Sequence, residues 1–361
     1  MRDFTSLLLY LCVFIISALL ISIGKKQNKK SFSPLTIIGL SLPILMAAFR
    51  YGVGTDYFNY MREFNQSKNV SILNYLQSNG VLEIGSFLIN KLSVSINSYS
   101  FLLGIYSGLT LIAVYLSILE YKSKVPIGLS FFVFLCIYYP FSLNLMSQFL
   151  AIAIVAISFK YIFEKNVVKF ITLTFIASLF HSTSLIMLPI YFFWNKKQDG
   201  LVNKWKIIIV IIISMFFAYN YQIVLESISQ LKMFEQYDVY VDANKIGQNR
   251  DIFIKLILFV FVFLFRKQLI SYDQRNKLYI LLLLLNLIIG LTGFTSPWVK
   301  RVTLYFEIAQ IFILPSIIYI FYPLKDRVIV MFGISIYAMS YFVLVYYLLK
   351  QANVIPYRLM F

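Results

Sequence analysis

Charge is scarce in this chain. Asp, Glu, Lys and Arg make up 13% of its 361 residues, about half the share found in soluble domains. That deficit excludes a two-domain soluble enzyme. Histidine occurs once, as His181, which excludes a metal centre built from several imidazoles. Cysteine occurs twice, as Cys12 and Cys136, each inside an apolar run. Both read as small hydrophobes, so neither a disulfide framework nor a thiolate metal site is implied. Acidic residues number 15 against 32 basic ones, for a net charge of +17. On a soluble chain that balance would point to nucleic acid. On a chain of many spans, basic residues fix topology and meet anionic lipid. There is no Gly-rich phosphate loop and no Walker pattern, which argues against nucleotide-driven chemistry. No internal repeat stands out, so the usual mark of a transporter is missing.

Apolar residues are what the chain has in excess, at 60%. They fall in runs at roughly 5–23, 34–49, 99–119, 126–142, 149–163, 170–194, 206–224, 252–266, 278–292, 302–321 and 328–349. The pattern predicts one all-α domain over 1–361, a polytopic membrane helix bundle of about 11–12 spans. The first run is long enough to cross a bilayer and lacks a small-residue cleavage site, so it reads as a membrane helix.

The run at 170–194 is broken by His181-Ser182-Thr183-Ser184 and again at Pro189. Read as two short segments meeting at His181, it gathers Lys25–Lys30, Lys122 and Lys124, Lys165 and Lys169, Lys196–Lys206, Arg266–Lys277 and Lys325–Arg327 on one side. These short basic loops are what the positive-inside rule requires of the cytoplasmic face. Read as one span, it inverts the second half and weakens that bias. The split topology puts the longer loops, near 50–98 and 225–251, outside. It also gathers most of the polar clusters there.

The most unusual of these clusters is Arg50-Tyr51-Gly52-Val53-Gly54-Thr55-Asp56-Tyr57-Phe58-Asn59-Tyr60, directly after an apolar run. Lipid cannot hold such a segment unless it lines a polar cavity or lies at the interface. Arg50 offers a planar donor fork suited to phosphate, and Asp56 can accept a proton from a hydroxyl. An interfacial anchor, with Arg50 snorkelling, is the plainer alternative. Lys300 and Arg301 form an outside-facing basic pair that runs against the charge bias, and they are further diphosphate candidates beside Trp298. His181 interrupts an apolar segment at a predicted break and is a candidate for proton or phosphate work. Glu83 competes with Asp56 as a base, or else caps the helix that starts near Ile84. Tyr57, Tyr60 and Trp298 are candidate sugar platforms, with Gln148 as a polar sugar contact.

Taken together, several segments resemble the EpsG-type branch of the Wzy-like polysaccharide polymerases. They are Arg50–Tyr57, Leu82-Glu83-Ile84-Gly85, Ser147-Gln148-Phe149-Leu150-Ala151-Ile152-Ala153, Phe180-His181-Ser182 with Pro189, and Arg301 ahead of Tyr305. Their order covers nearly the whole chain. Family members often carry Arg immediately before the glutamine, where this chain has Ser147, so one cationic contact would come from elsewhere, for instance Lys300. The resemblance implies a metal- and nucleotide-independent glycosyltransferase without cofactor, in the bacterial cytoplasmic membrane, its site facing the periplasm or exterior. Its partners would be undecaprenyl-diphosphate-linked glycan donor and acceptor, membrane lipid and a chain-length regulator, with no nucleic acid. It would build capsular, exopolysaccharide or O-antigen chains. A flippase for the same lipid-linked sugar and a glycan ligase are the rival readings.

Overall fold

The computed structural model describes residues 2–27, 32–81, 83–121, 124–194, 252–292 and 297–360, without the side chains of 2, 26, 27, 79 and 291–300. The described chain is an all-α polytopic membrane bundle, and its only β-type pairing is an isolated bridge between Arg50 and Leu359. Five described helices are long and apolar enough to cross a bilayer: Asp3–Lys25, Tyr99–Leu119, Met146–Phe163, Arg301–Ile320 and Leu324–Leu348. Six shorter apolar helices stand beside them, among them Pro34–Ala48 and Ile127–Ile137. Every run expected from the sequence is therefore helical except 206–224, which lies outside the described residues, as do the expected outer loop near 225–251 and the basic segment 196–206.

We label the helices the site depends on α1 (Arg2–Gln27), α2 (Pro34–Ala48), α3 (Tyr57–Ser67), α4 (Ile72–Asn79), α5 (Ile84–Ser95), α6 (Tyr99–Leu119) and α7 (Ile127–Ile137). Every residue of α7 is buried. A helix apolar all round belongs at the centre of a bundle, and α7 is packed by α1, α6 and the helix Leu324–Phe342. Lipid tails are as apolar as leucine, so packing and cross-helix hydrogen bonds hold such a bundle together. Buried tyrosines supply many of these bonds. Tyr139 donates to the Pro43 carbonyl at 2.6 Å, Tyr138 to that of Glu307 at 2.7 Å, and Tyr10 to that of Val354 at 3.1 Å. Each such bond contributes roughly 1 kcal/mol in general.

The break at His181 is a hairpin. After the four-residue turn α8 (Tyr139–Ser142) come α9 (Met146–Phe163) and α10 (Val167–Ser178), and three residues separate α10 from a 3-10 arm, Ser182–Phe193. The Ser184 hydroxyl donates to the Thr174 carbonyl at 3.4 Å, and the Phe170 and Tyr191 rings lie 5.6 Å apart. Residues equally distant from the turn thus face each other, so the arms are antiparallel. Each arm has 12 residues, and α10 rises about 18 Å, too short for a membrane core of about 30 Å. His181 sits at the apex in extended backbone (φ −156°, ψ 117°). This bears out the split segment, and it returns the chain to the end of the bundle from which it entered.

Candidate active site

The end of the bundle that holds this apex contains a cavity of about 600 Å³. One wall is the polar face of α3. Asp56, Asn59, Tyr60, Glu63, Gln66 and Ser67 line the cavity, spaced three and four residues apart as one helical face requires. The opposite face of α3 buries Tyr57 and Phe64. The other walls come from α4, the start of α5, α6, the start of α9, the hairpin apex and Arg301. Arg301 lies on a helix that spans Pro297–Glu307.

Six of the residues singled out in the sequence line this one space: Asp56, Tyr60, Glu83, Gln148, His181 and Arg301. They come from five separate parts of the chain. Asp56 Oδ2 lies 3.9 Å from Arg301 Nη2, and the Gln148 amide donates to the Arg301 carbonyl at 2.9 Å. Gln148 is 2% exposed, and its Oε1 has no hydrogen-bond partner among the described residues. The same holds for Asn90 Oδ1, on α5, in a side chain 8% exposed. Two buried amides on the cavity wall thus keep acceptors that a ligand can use, since an unmet buried acceptor costs about 1–3 kcal/mol.

Glu83 does not cap its own helix. It stands at the N-cap of α5 with φ 57° and makes no side-chain bond there. Its Oε1 instead accepts from the Ser182 amide at 3.0 Å and from the Ser182 hydroxyl at 2.9 Å, and lies 3.2 Å from His181 Nδ1. The carboxylate thus caps the 3-10 arm of the hairpin. Burial alone would raise the Glu83 carboxyl, but His181 and the Ser182 donors outweigh it and pull its pKa below the ordinary carboxylate value. The contact requires α5 and the apex to meet closely. Gly85 N donates to Leu179 O at 2.7 Å, and a Cβ on Gly85 would stand 2.9 Å from that oxygen. That accounts for the glycine two residues after Glu83.

Arg50 is elsewhere. The two arginines expected to share one ligand are not brought together, because Arg50 is 0% exposed and does not line the cavity. Its Nη2 approaches Met146 Sδ at 3.4 Å, and its guanidinium lies 5.9 Å from the centre of the Tyr57 ring. Its Nε and Nη1 have no hydrogen-bond partner among the described residues. The backbone around it is stitched to the C-terminal tail. Tyr51 N donates to Arg358 O at 2.8 Å, Gly54 N to Asn353 O at 3.0 Å, and Met360 N to Phe49 O at 3.0 Å. Gly54 takes φ +103°, and any Cβ there would overlap Asn144 Oδ1. The glycine motif therefore builds a tail-clamped turn that launches α3, and only its end, at Asp56, reaches the cavity.

Tyr57 is likewise sealed, at 0% exposure, with its carbonyl accepting from Tyr99 Oη at 2.7 Å. It does not reach the cavity as a sugar platform. Aromatic surface is supplied instead by Tyr75 and Phe87, which line the cavity and stack at 4.2 Å. The side chains of Trp298 and Lys300 lie outside the described residues.

Sequence reasoning did not single out Glu63. Its side chain is exposed to the cavity, with protein on the surrounding walls. Desolvation by those walls, with the like charges of Glu83 and Asp56, pushes its carboxyl up to about 7. Burial also raises the Tyr60 phenol, which stays a neutral donor. Among the described residues, no group of three His, Cys, Asp or Glu side chains could hold a metal ion. The arrangement can bind an anion at Arg301, hold a polar, hydroxyl-rich ligand on amides and rings, and move a proton through carboxyl groups.

Comparison with known proteins gives one family. The model described as the EpsG family, which is associated with Wzy-like polymerases, matches residues 32–359. No curated protein and no solved structure matches the chain.

Proposed function

The chain belongs to the EpsG family, and from that premise we propose that it polymerises lipid-diphosphate-linked oligosaccharide repeat units by glycosyl transfer in the cavity beside α3. The observation that carries this reading is the cavity at this end of the bundle, where Arg301, two buried amide acceptors and a set of carboxyl groups face one space. In the reaction, the terminal sugar hydroxyl of the acceptor attacks the anomeric carbon of the donor. The bond from that carbon to the diphosphate oxygen breaks, and undecaprenyl diphosphate leaves. Arg301 holds the leaving diphosphate, and its contact strengthens as charge builds there. Asp56 orients the Arg301 fork. Glu83 and His181 fix the hairpin apex against α5, and Gln148 and Asn90 accept from sugar hydroxyls. A carboxyl of the cavity takes the proton. The linkage is already activated, so the step calls for no nucleotide. The bias of basic loops supports an outer-face position for this end of the bundle.

The test supplies purified protein with two distinguishable pools of lipid-linked repeat unit in vesicles. Glycan carrying both labels on one lipid is the expected product. Movement of lipid-linked sugar between leaflets without lengthening would replace the polymerase with a flippase. Transfer onto a different acceptor only would replace it with a ligase.

A further inference from the structure

We propose that Glu63 is the catalytic base, the group that takes the proton from the attacking sugar hydroxyl; this rests on the glycosyl-transfer reading above. Three carboxyl groups line the cavity, and the geometry occupies two of them. Asp56 accepts from the Thr55 hydroxyl at 3.2 Å and faces Arg301 at 3.9 Å. Glu83 receives both Ser182 donors and lies against His181. The Glu83 contacts stabilise its charged form and make it a poor proton acceptor, while Asp56 is turned to the Arg301 that holds the diphosphate. Glu63 has no hydrogen bond and no ion pair among the described residues, although it opens directly onto the cavity.

Its position on α3 fits the part. Glu63 lies one turn beyond Asn59 and Tyr60 and two turns beyond Asp56, on the same lining face. Seven residues of helix rise about 10 Å. Arg301 sits at the Asp56 end, so a leaving diphosphate held there and a hydroxyl held near Glu63 stand on opposite sides of an intervening sugar ring. A leaving group on one face and a base-activated nucleophile on the other is the arrangement of inverting glycosyl chemistry. Asn90 Oδ1 and Gln148 Oε1, both buried acceptors without partners, are available to hold the ring between them.

The step balances without any further reagent. A new bond forms between the acceptor oxygen and the anomeric carbon, the bond from that carbon to the diphosphate oxygen breaks, and the electron pair leaves with the diphosphate. The hydroxyl proton goes to the Glu63 carboxylate and from there to cavity water. Glu63 is suited to this because its neighbours hold it near neutrality, where a base both ionises and retains proton affinity. The charged and titratable groups around it are Asp56 just before α3, Tyr60 on α3, Tyr75 on α4, Glu83 before α5, Tyr99 and Tyr106 on α6, His181 at the apex and Arg301.

The test measures glycan elongation by the full chain in vesicles between pH 5 and 9, with Glu63→Gln, Glu63→Asp and Asp56→Asn beside wild type. Membrane level and gel-filtration profile report folding. We expect wild-type kcat/KM to rise with pH through about 7, and Glu63→Gln to lose about 100-fold or more together with that rise. Glu63→Asp should keep a reduced rate and the pH limb, and Asp56→Asn should keep the limb. A folded Glu63→Gln with a wild-type rate and limb would overturn the assignment and leave the polymerase reading standing. A limb lost in Asp56→Asn but kept in Glu63→Gln would move the base to Asp56. Wild-type protein that elongates nothing would remove both readings.

Discussion

Lys255 and Glu307 form an ion pair at 2.8 Å, with side chains 6% and 2% exposed. The pair joins the apolar helix Ile252–Leu264 to the helix that carries Arg301. An exposed pair of this kind would contribute about 0–1 kcal/mol. A buried one behaves differently, since removing one partner takes a short charge-assisted contact from a carboxylate already stripped of water, at a cost of about 3–5 kcal/mol. The exposures put this pair in the second class. Lys255→Met should therefore lower the melting temperature of the detergent-solubilised protein by on the order of 6–10 °C. Lys255→Met with Glu307→Leu should recover most of that loss, because an apolar pair of similar volume restores packing and removes the buried carboxylate with the cation. The Tyr138 bond to Glu307 goes to its main-chain carbonyl and survives both changes. Fluorescence-detected gel filtration after graded heating measures all three proteins. A single variant as stable as wild type, or a double variant no better than the single, would refute the buried-pair argument.

Further expectations concern other parts of the chain. Arg50→Lys should lower thermal stability while KM for donor lipid, per folded enzyme, stays within about twofold of wild type, because the side chain does not reach the cavity. In a background without Cys12 and Cys136, a cysteine at Asn69 should react with an impermeant thiol reagent from outside and one at Lys169 should not, with labelling of intact cells as the measurement. Glu63→Gln should be more thermostable than wild type at pH 8 and no different at pH 4. The folded carboxyl titrates near 7, above its ordinary 4.5, so the charged form opposes folding. That penalty is absent below the unfolded pKa and grows as pH rises to the folded one.

The bundle was largely legible because its signals are local. Runs of apolar residues, the interruption at His181-Ser182-Thr183-Ser184 and the basic loops each declare themselves within a few residues. The hairpin at His181 followed from charge bias and was met by the antiparallel pairing of Phe170 with Tyr191. Arg50 is the opposite case. Its fate depends on Asn353, Arg358 and Met360, some 300 residues away, and no local pattern announces that pairing. The chemistry of a guanidinium beside glycines is the same whether it binds phosphate or props a turn. The role of Glu83 was half legible. A carboxylate before a helix suggests a cap, yet the helix it caps is the far arm of the hairpin. Glu63 did carry a signal, since 56, 59, 60, 63 and 66 fall on one face of α3. The same spacing describes any solvated face, and only the closing walls at Glu83 and Arg301 turn it into a cavity.

The most direct test of the cavity as the reaction site is Arg301→Lys, scored for polymer made by cells and for protein inserted in their membranes. The substitution keeps the charge and removes the planar fork. A lost charge-assisted contact of roughly 1.5–3 kcal/mol predicts polymer reduced about tenfold to a hundredfold at a normal membrane level. Polymer at the wild-type amount from Arg301→Lys would contradict the account, because the leaving diphosphate would then be held somewhere other than this cavity.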